Sequence, residues 1–151
     1  MSSEAVPDEI ENLVNLIKTR DIKIISRHCS ANPKLTAGLL TYRDSGGNTA
    51  FTHATASGHL DTVKLLLKMG ADATSSNFYG WTPLCVAAYR GSTNIVKFLL
   101  ENTSQQKNEA TVFGLTALMC AVYQGRYVVS NYLLSSGVNV NSAGAGIENH
   151  H

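Results

Sequence analysis

Histidines and cysteines are the side chains of this sequence that could ligate a metal or act as nucleophile and base. His53, His59, Cys85 and Cys120 lie in the middle of the chain, and Cys29 lies upstream. Structural zinc takes four such ligands at characteristic spacings, and covalent catalysis needs a nucleophile beside a base. No CxxC pair occurs, and no zinc-type spacing is present. We therefore expect structural roles for these residues, with no metal site, no cofactor and no catalytic residue.

Enzyme signatures and strongly charged segments are also missing from the sequence. It contains no G-x-S-x-G, no P-loop and no H-E-x-x-H motif. Its 12 basic and 11 acidic residues leave a formal net charge of +1, which gives no electrostatic basis for binding nucleic acid. No apolar run is long enough to predict membrane insertion. The odd number of cysteines and an N-terminus unlike a signal peptide predict an intracellular protein, cytoplasmic or nuclear, with reduced thiols.

Aromatic residues, in contrast, are concentrated in the stretch NFYGWTPLCVAAYRG, which begins at Asn77. Phe78, Tyr79, Trp81 and Tyr89 stand close to glycines, where the chain is expected to turn. Tryptophan, tyrosine and arginine contribute most of the binding energy at protein interfaces. The chemistry that this stretch indicates is therefore recognition of a partner and not catalysis.

The elements that position these aromatics recur along the chain with a spacing of 33 and then 34 residues. The recurring residues are Thr49, Thr82 and Thr116; Ala54, Ala87 and Ala121; Gly58, Gly91 and Gly125; and paired leucines at 66–67, 99–100 and 133–134. A threonine hydroxyl can cap a helix, and a glycine can end one with a positive φ. Each unit then predicts two short helices, whose apolar faces are buried only when units stack.

The segment GWTPLCVAAYRG resembles the ankyrin repeat, whose pattern is G-x-T-P-L-H-x-A-A. The resemblance covers about Asp44 to Asn141 and implies an all-α fold, an ankyrin-repeat solenoid of stacked helix-turn-helix units with β-turn finger loops. Thr52, Cys85 and Met119 replace the family's histidine, which ties helix to turn, so we expect these turns to be less rigid. The resemblance also places Asn141 where such repeats are hydroxylated on asparagine.

We predict a single domain over 8–141, between a flexible N-terminus, 1–7, and a flexible tail, 142–151, whose final histidines resemble a tag remnant. Its repeats are expected at about 8–43, 44–76, 77–110 and 111–141. The first repeat is a degenerate helix pair, followed by a long connection, SANPKLTAGLLTYRDSGG. The connection ENTSQQKNEATVFG should be the most irregular. Cys85 and Cys120 occupy consecutive places in the helix pattern, so we expect their side chains to point in different directions.

The resemblance implies a contact surface made of the turn residues and the end of the first helix of each repeat. The residues predicted to bind a partner are Phe78, Tyr79, Trp81, Tyr89, Arg90, Phe113, Leu115, Tyr123, Gln124 and Arg126. Tyr89 and Tyr123 hold the same place in successive repeats, so they should be neighbours along a concave groove. Some of these aromatics could instead pack against the next repeat, and Phe113 is the member that we expect to serve packing.

The leading interpretation is a non-enzymatic interaction module or adaptor, which holds a partner protein or peptide in an aromatic-rich concave groove. Arg90 and Arg126 are then available for an acidic group of the partner. The alternative is an assembly segment of a longer repeat protein, which associates, or self-associates, through an uncapped C-terminal end. The last helix segment, RYVVSNYLLSSG, motivates this alternative because it leaves little polar face.

Overall fold

The computed structural model of the chain describes residues 7–19, 21–103 and 110–137. These residues form nine helices and no strand, apart from one isolated antiparallel bridge between Ala110 and Thr116. The all-α prediction is thereby confirmed. None of the described helices is long and apolar enough to cross a bilayer. The chain divides into two compact units, Met1–Asp72 and Ala73–His151. The prediction of one domain over 8–141 stays a prediction.

The N-terminal unit contains five helices: α1 (Pro7–Thr19), α2 (Ile22–Ala31), α3 (Pro33–Leu40), α4 (Ala50–Ser57) and α5 (Leu60–Lys68). Helix α1 packs against α2, α3 and α4, and α5 packs against α2 and α4. Val14, Ile17, Ile25, Phe51 and Leu66 are almost fully buried between them. The predicted upstream helix pair is present as α1 and α2, and its assignment as a degenerate first repeat stays a prediction.

Helix α3 corrects the prediction of a long connection after the first repeat. The Asn32 side chain caps the helix, because its Oδ1 accepts from the backbone nitrogens of Lys34 and Leu35 at 3.1 and 3.2 Å. Pro33 stands at the first helical position, where no amide donor is required. Leu35 and Leu39 are buried in the core of the unit. The pair Asn32–Pro33 was the signal in the sequence that could have predicted this helix.

The C-terminal unit contains two helix pairs: α6 (Pro83–Arg90) with α7 (Thr93–Asn102), and α8 (Ala117–Tyr123) with α9 (Tyr127–Ser135). Helix α6 packs against α7 and α8, and α9 packs against α7 and α8. Ala87 and Ala121 are completely buried, and their small side chains let the helices approach closely. Residues 1–6, 20, 104–109 and 138–151 lie outside the described part, and with them the core of the connection predicted to be irregular, Asn141 and the tail.

The recurring threonines and glycines perform the predicted functions. The hydroxyl oxygens of Thr49, Thr82 and Thr116 accept from the backbone nitrogens of the residues three positions later, at 3.1, 3.2 and 3.3 Å. Gly58 and Gly91 end α4 and α6 in the left-handed region. The helix starts and bends of the repeats therefore follow from local hydrogen bonding and backbone conformation.

Candidate functional site

All ten residues predicted to bind a partner lie in the C-terminal unit. They belong to two turns, to the ends of α6 and α8, and to the bend between α8 and α9. We name the two turns the first turn (77–81) and the second turn (111–115). None of these ten residues lies in the N-terminal unit, so their geometry is described within the C-terminal unit alone.

The first turn is closed by Asn77. Its side-chain Oδ1 accepts from the backbone nitrogens of Tyr79 and Trp81 at 2.9 and 3.0 Å. Its backbone nitrogen donates to the Trp81 carbonyl oxygen at 3.0 Å, and its carbonyl oxygen accepts from Gly80 at the same distance. An asparagine bonds in this way to backbone groups two and more residues ahead because its side chain is short and carries an acceptor. Phe78 and Tyr79 are left at the tip, where Phe78 is 66% exposed.

The second turn repeats this design with a threonine in place of the asparagine. The Thr111 hydroxyl oxygen accepts from the backbone nitrogens of Phe113 and Leu115 at 3.2 and 3.3 Å. The Thr111 nitrogen donates to the Leu115 carbonyl oxygen at 2.9 Å. Val112 and Phe113 occupy the tip and are exposed. Phe113 is 71% exposed, which differs from the expectation that it serves packing.

The two turns are in direct contact through their backbones. The Val112 nitrogen donates to the Tyr79 carbonyl oxygen at 2.8 Å. A Cβ atom at Gly80 would lie 3.0 Å from the Val112 nitrogen and 3.1 Å from the Thr111 Cα atom, and Gly80 has a φ of 80°. Glycine is therefore required at this position for two reasons, its backbone conformation and the close approach of the second turn.

Trp81 and Tyr89 connect the first turn to the end of α6. Their rings meet edge to face, with centroids 5.5 Å apart and planes at 85°. Such pairs contribute about 0.5–1.5 kcal/mol beyond the burial of their area. Trp81 is half-buried, and Tyr89 remains partly exposed. The two rings therefore pack against each other and still present surface, and their part in binding a partner stays a prediction.

Arg126 lies over the end of α6. Its Nε atom donates to the Tyr89 carbonyl oxygen at 3.1 Å. A Cβ atom at Gly91 would lie 2.7 Å from the Arg126 Cδ atom, so the arginine stem occupies the space that a side chain at this position would fill. Arg90 follows Tyr89 directly and is exposed, as Arg126 is. A cation at this position is favourable because the C-terminal end of a helix carries partial negative charge.

The remaining predicted residues differ in exposure. Tyr123 is 83% exposed, whereas Leu115 and Gln124 are half-buried. Among the described residues Tyr123 has no ring contact, so its position beside Tyr89 in a groove stays a prediction. We use the term aromatic surface for the exposed and half-buried aromatic residues of the C-terminal unit that were predicted to bind a partner: Phe78, Tyr79, Trp81, Tyr89, Phe113 and Tyr123.

The two cysteines of the C-terminal unit correct a second prediction. Cys85 and Cys120 are buried free thiols, and they do not point in different directions, because the two thiols share a hydrogen bond. This bond and burial raise the pKa of Cys120 far above its usual value. A thiol in such surroundings is protonated and unreactive. Within the described part of the chain, no group of three or more His, Cys, Asp and Glu residues is arranged to hold a metal ion.

In the N-terminal unit, His53 has the structural role that the sequence predicts. Its Nε2 atom lies 3.0 Å from the Asp44 Oδ2 atom, and Asp44 also accepts from the backbone nitrogens of Gly46 and Asn48 at 2.9 Å. Partial burial opposes ionisation of Asp44, but hydrogen bonds from Asn48, Gly46 and His53 together hold its pKa below the usual value. Helix α4 is thus tied to the preceding turn by His53, one position after the residue that replaces the family's histidine.

Helix α9 presents a second exposed apolar region. Tyr127 is 77% exposed, and Val128 and Leu134 are also exposed, whereas Val129 and Leu133 are buried against the neighbouring helices. Apolar side chains therefore occupy both faces of this helix. This arrangement agrees with the lack of a polar face in the sequence of the last helix.

Comparison with known proteins identifies the repeats. A family model described as ankyrin repeats (three copies) matches residues 70–143, and a single-repeat ankyrin model matches residues 46–78. A transient receptor potential cation channel subfamily A member 1 homolog of Caenorhabditis elegans is 33% identical over 102 residues, which are 68% of this chain and 8% of that protein.

Two smaller relatives also match part of this chain. The Notch-regulated ankyrin repeat-containing protein of Xenopus tropicalis is 44% identical over 54 residues, 36% of this chain and 47% of the relative. Protein phosphatase 1 regulatory subunit 27 of Homo sapiens is 32% identical over 92 residues, 61% of this chain and 49% of the relative. The matched segment spans less than half the length of each of these three proteins.

Proposed function

The chain belongs to the ankyrin-repeat family, and from this premise we propose that it is a non-enzymatic adaptor, which binds a partner protein or peptide on the aromatic surface of its C-terminal unit. The family consists of protein-interaction repeats, and relatives with regulatory names, such as the phosphatase subunit, share its repeats. The location of the binding surface goes beyond what membership of the family establishes. We also propose an intracellular location, which the three free buried thiols support.

The observation that carries the proposal is the exposure of large aromatic side chains at the tips of two closed turns. The turns are held by Asn77, Thr111 and the backbone bond between them, so the side chains of Phe78 and Phe113 are not needed to close either turn. A contiguous exposed apolar region is uncommon on a soluble protein unless a partner covers it. Aromatic anchors with few rotatable bonds also lose little conformational entropy on binding.

Affinity capture with matched variants tests this proposal. The wild-type chain is compared with Phe78→Ser/Phe113→Ser, which changes only exposed tips, and with Tyr127→Ser, which changes an equally exposed aromatic residue on α9. Circular dichroism and thermal unfolding establish that all three are folded. We expect the double variant to lose specific partners that the Tyr127 variant keeps. Retention of every partner by the double variant would contradict the proposed surface.

A second candidate function is assembly through α9, and the exposure of Tyr127, Val128 and Leu134 favours it. Such a face would pack against a second repeat array or a second copy of this chain. Sedimentation velocity over a range of concentrations tests self-association, with Val128→Lys as the disrupting variant. A concentration-dependent dimer that the substitution abolishes would support this function. A wild-type chain that stays monomeric throughout would contradict self-association.

A further inference from the structure

The guanidinium group of Arg126 is positioned before any partner arrives. Its Nε atom donates to the Tyr89 carbonyl oxygen, and its stem lies against Gly91. An arginine has five N–H donors, and this hydrogen bond uses one of them. No described residue accepts a hydrogen bond from either Nη atom of Arg126. The other four donors are thus not used by the described part of the chain, and their fixed planar arrangement lowers the entropy that is lost when a ligand binds to them.

Arg90 brings a second cation to the same end of α6. Its backbone adjoins Tyr89, whose carbonyl oxygen accepts from Arg126, and its side chain is exposed. Neither arginine forms an ion pair with any residue in the described part of the chain. Two cations at the same helix end repel each other, and the helix dipole offsets only part of this cost. An anion bound between them would remove the repulsion.

The C-terminal unit supplies no such anion within its described residues. Their single acid is Glu101, in the last turn of α7. Glu101 lies eight residues beyond Thr93, at the far end of that helix from the α6–α7 bend, a distance of roughly 12 Å at the helical rise per residue. The third described cation of the unit, Lys97, lies 5.4 Å from the centre of the Tyr132 ring, on the α7–α9 side. Within the described residues of the unit, no acid near this end of α6 therefore balances the two arginines.

We infer that Arg90 and Arg126 bind a carboxylate, and that a partner segment on the aromatic surface places an aspartate or glutamate side chain between them; this inference rests on the proposed function. A carboxylate fits because it accepts two parallel hydrogen bonds from a guanidinium group. Because tyrosines border the two arginines, the complementary ligand is a single acidic side chain flanked by apolar ones. Nucleic acid or an anionic membrane would require a wider basic area, which the net charge of +1 does not provide.

A displayed library of random short peptides, selected on the full chain, tests the inference. We expect the selected peptides to share an acidic residue close to aromatic or aliphatic residues. Replacing that residue by its amide should weaken binding by about tenfold or more, measured by fluorescence polarisation, because a charge-assisted hydrogen bond is lost. The Arg90→Gln and Arg126→Gln variants should show the same loss with the acidic peptide and little further loss with the amide peptide.

The controls separate this inference from the proposed function. Lys97→Gln removes the same charge from the unit away from the arginine pair and should leave the affinity unchanged. Arg90 forms no hydrogen bond or ion pair with the described residues, so Arg90→Gln is informative even if Arg126→Gln unfolds the chain. Peptides that depend on Phe78 and Phe113 but not on the arginines would overturn the inference alone. Peptides whose affinity does not depend on Phe78 and Phe113, or a library without binders, would overturn both the inference and the proposed function. Binding that requires phosphoserine in place of the acidic residue would overturn the assignment to a carboxylate.

Discussion

The backbone nitrogen of Val112 donates a hydrogen bond to the carbonyl oxygen of Tyr79 at 2.8 Å, and this bond joins the second turn to the first. Each turn is closed separately by its own first residue, Asn77 or Thr111. The bond between them sets the distance between the two exposed tips. A ligand that contacts Phe78 and Phe113 together would therefore meet a spacing determined by the backbone.

Gly80→Ala should destabilise the chain more than an ordinary substitution at a positive φ. The new Cβ atom would lie 3.0 Å from the Val112 nitrogen, which is backbone and cannot rotate away. Gly125→Ala is the matched control, because φ there is 70° and the nearest heavy atom is 4.0 Å away. We expect Gly80→Ala to lower the free energy of unfolding by about 1–3 kcal/mol more than Gly125→Ala, as overpacking does. Urea unfolding of both variants measures the difference, and equal losses would contradict the contact.

Tyr89→Leu should expose Trp81 without unfolding the chain. The substitution removes the edge-to-face contact at 5.5 Å, which is expected to cost about 0.5–1.5 kcal/mol. Trp81 is the single tryptophan of the sequence, so the tryptophan fluorescence comes from this residue alone. We expect a red-shifted emission and faster quenching by acrylamide. Tyr127→Leu, which changes an exposed tyrosine on α9, should leave both signals unchanged, and an unchanged signal in the Tyr89 variant would contradict the pairing.

Asp44 should contribute stability that disappears in acid. Although partial burial opposes it, the hydrogen bonds from Asn48, Gly46 and His53 lower the pKa of Asp44 below its usual value. The folded state therefore binds the proton more weakly than the unfolded state. The contribution is complete above the unfolded pKa and is lost as the pH falls below it through the folded pKa.

Asp44→Asn tests this dependence directly. Near neutral pH we expect the variant to be less stable by about 1 kcal/mol, since hydrogen bonds to a charged acceptor are replaced by weaker ones. Thermal unfolding between pH 7 and strong acid should show the two stability curves converging as the pH falls. Asp61→Asn, at an acidic residue in the first turn of α5, is the control. A difference that stays constant down to the lowest pH would contradict the lowered pKa.

The three cysteines should react slowly in the folded chain and together when it unfolds. Cys85 and Cys120 are at most 2% exposed, and Cys29 is 7% exposed. The hydrogen bond with Cys85 and burial both raise the pKa of Cys120, so little reactive thiolate forms at neutral pH. Alkylation followed by intact mass measurement should show Cys29 modified first and three adducts only in denaturant. Early modification of Cys120 would contradict the buried thiol pair.

Much of the fold could be predicted because it depends on local chemistry that repeats. Thr82 and Thr116 cap helices and Gly91 ends one, whatever the neighbouring repeat contains. The family could be predicted for the same reason, since its pattern consists of such residues. Helix α3 was missed because an Asn-Pro cap lay inside a segment that the repeat pattern did not cover.

The details of the candidate site depended on contacts between repeats, which a single helix pattern does not contain. The sequence predicts the direction of Cys85 and Cys120 from their places in their own helices. Their hydrogen bond depends on how α6 packs against α8. The exposure of Phe113 likewise follows from Thr111, which uses its hydroxyl group to close the turn below the tip. The hydrogen bond from the Arg126 side chain to the Tyr89 carbonyl oxygen could not be predicted because it spans 37 residues.

The two closed turns also separate the residues that maintain the fold from the residues that face solvent. Asn77, Gly80 and Thr111 determine the backbone path, whereas the side chains at 78, 79, 112 and 113 are exposed and are not used to close either turn. Natural variation can therefore exchange these four side chains at little risk to folding. Ligand preference in such a protein can evolve, or be engineered, independently of thermal stability.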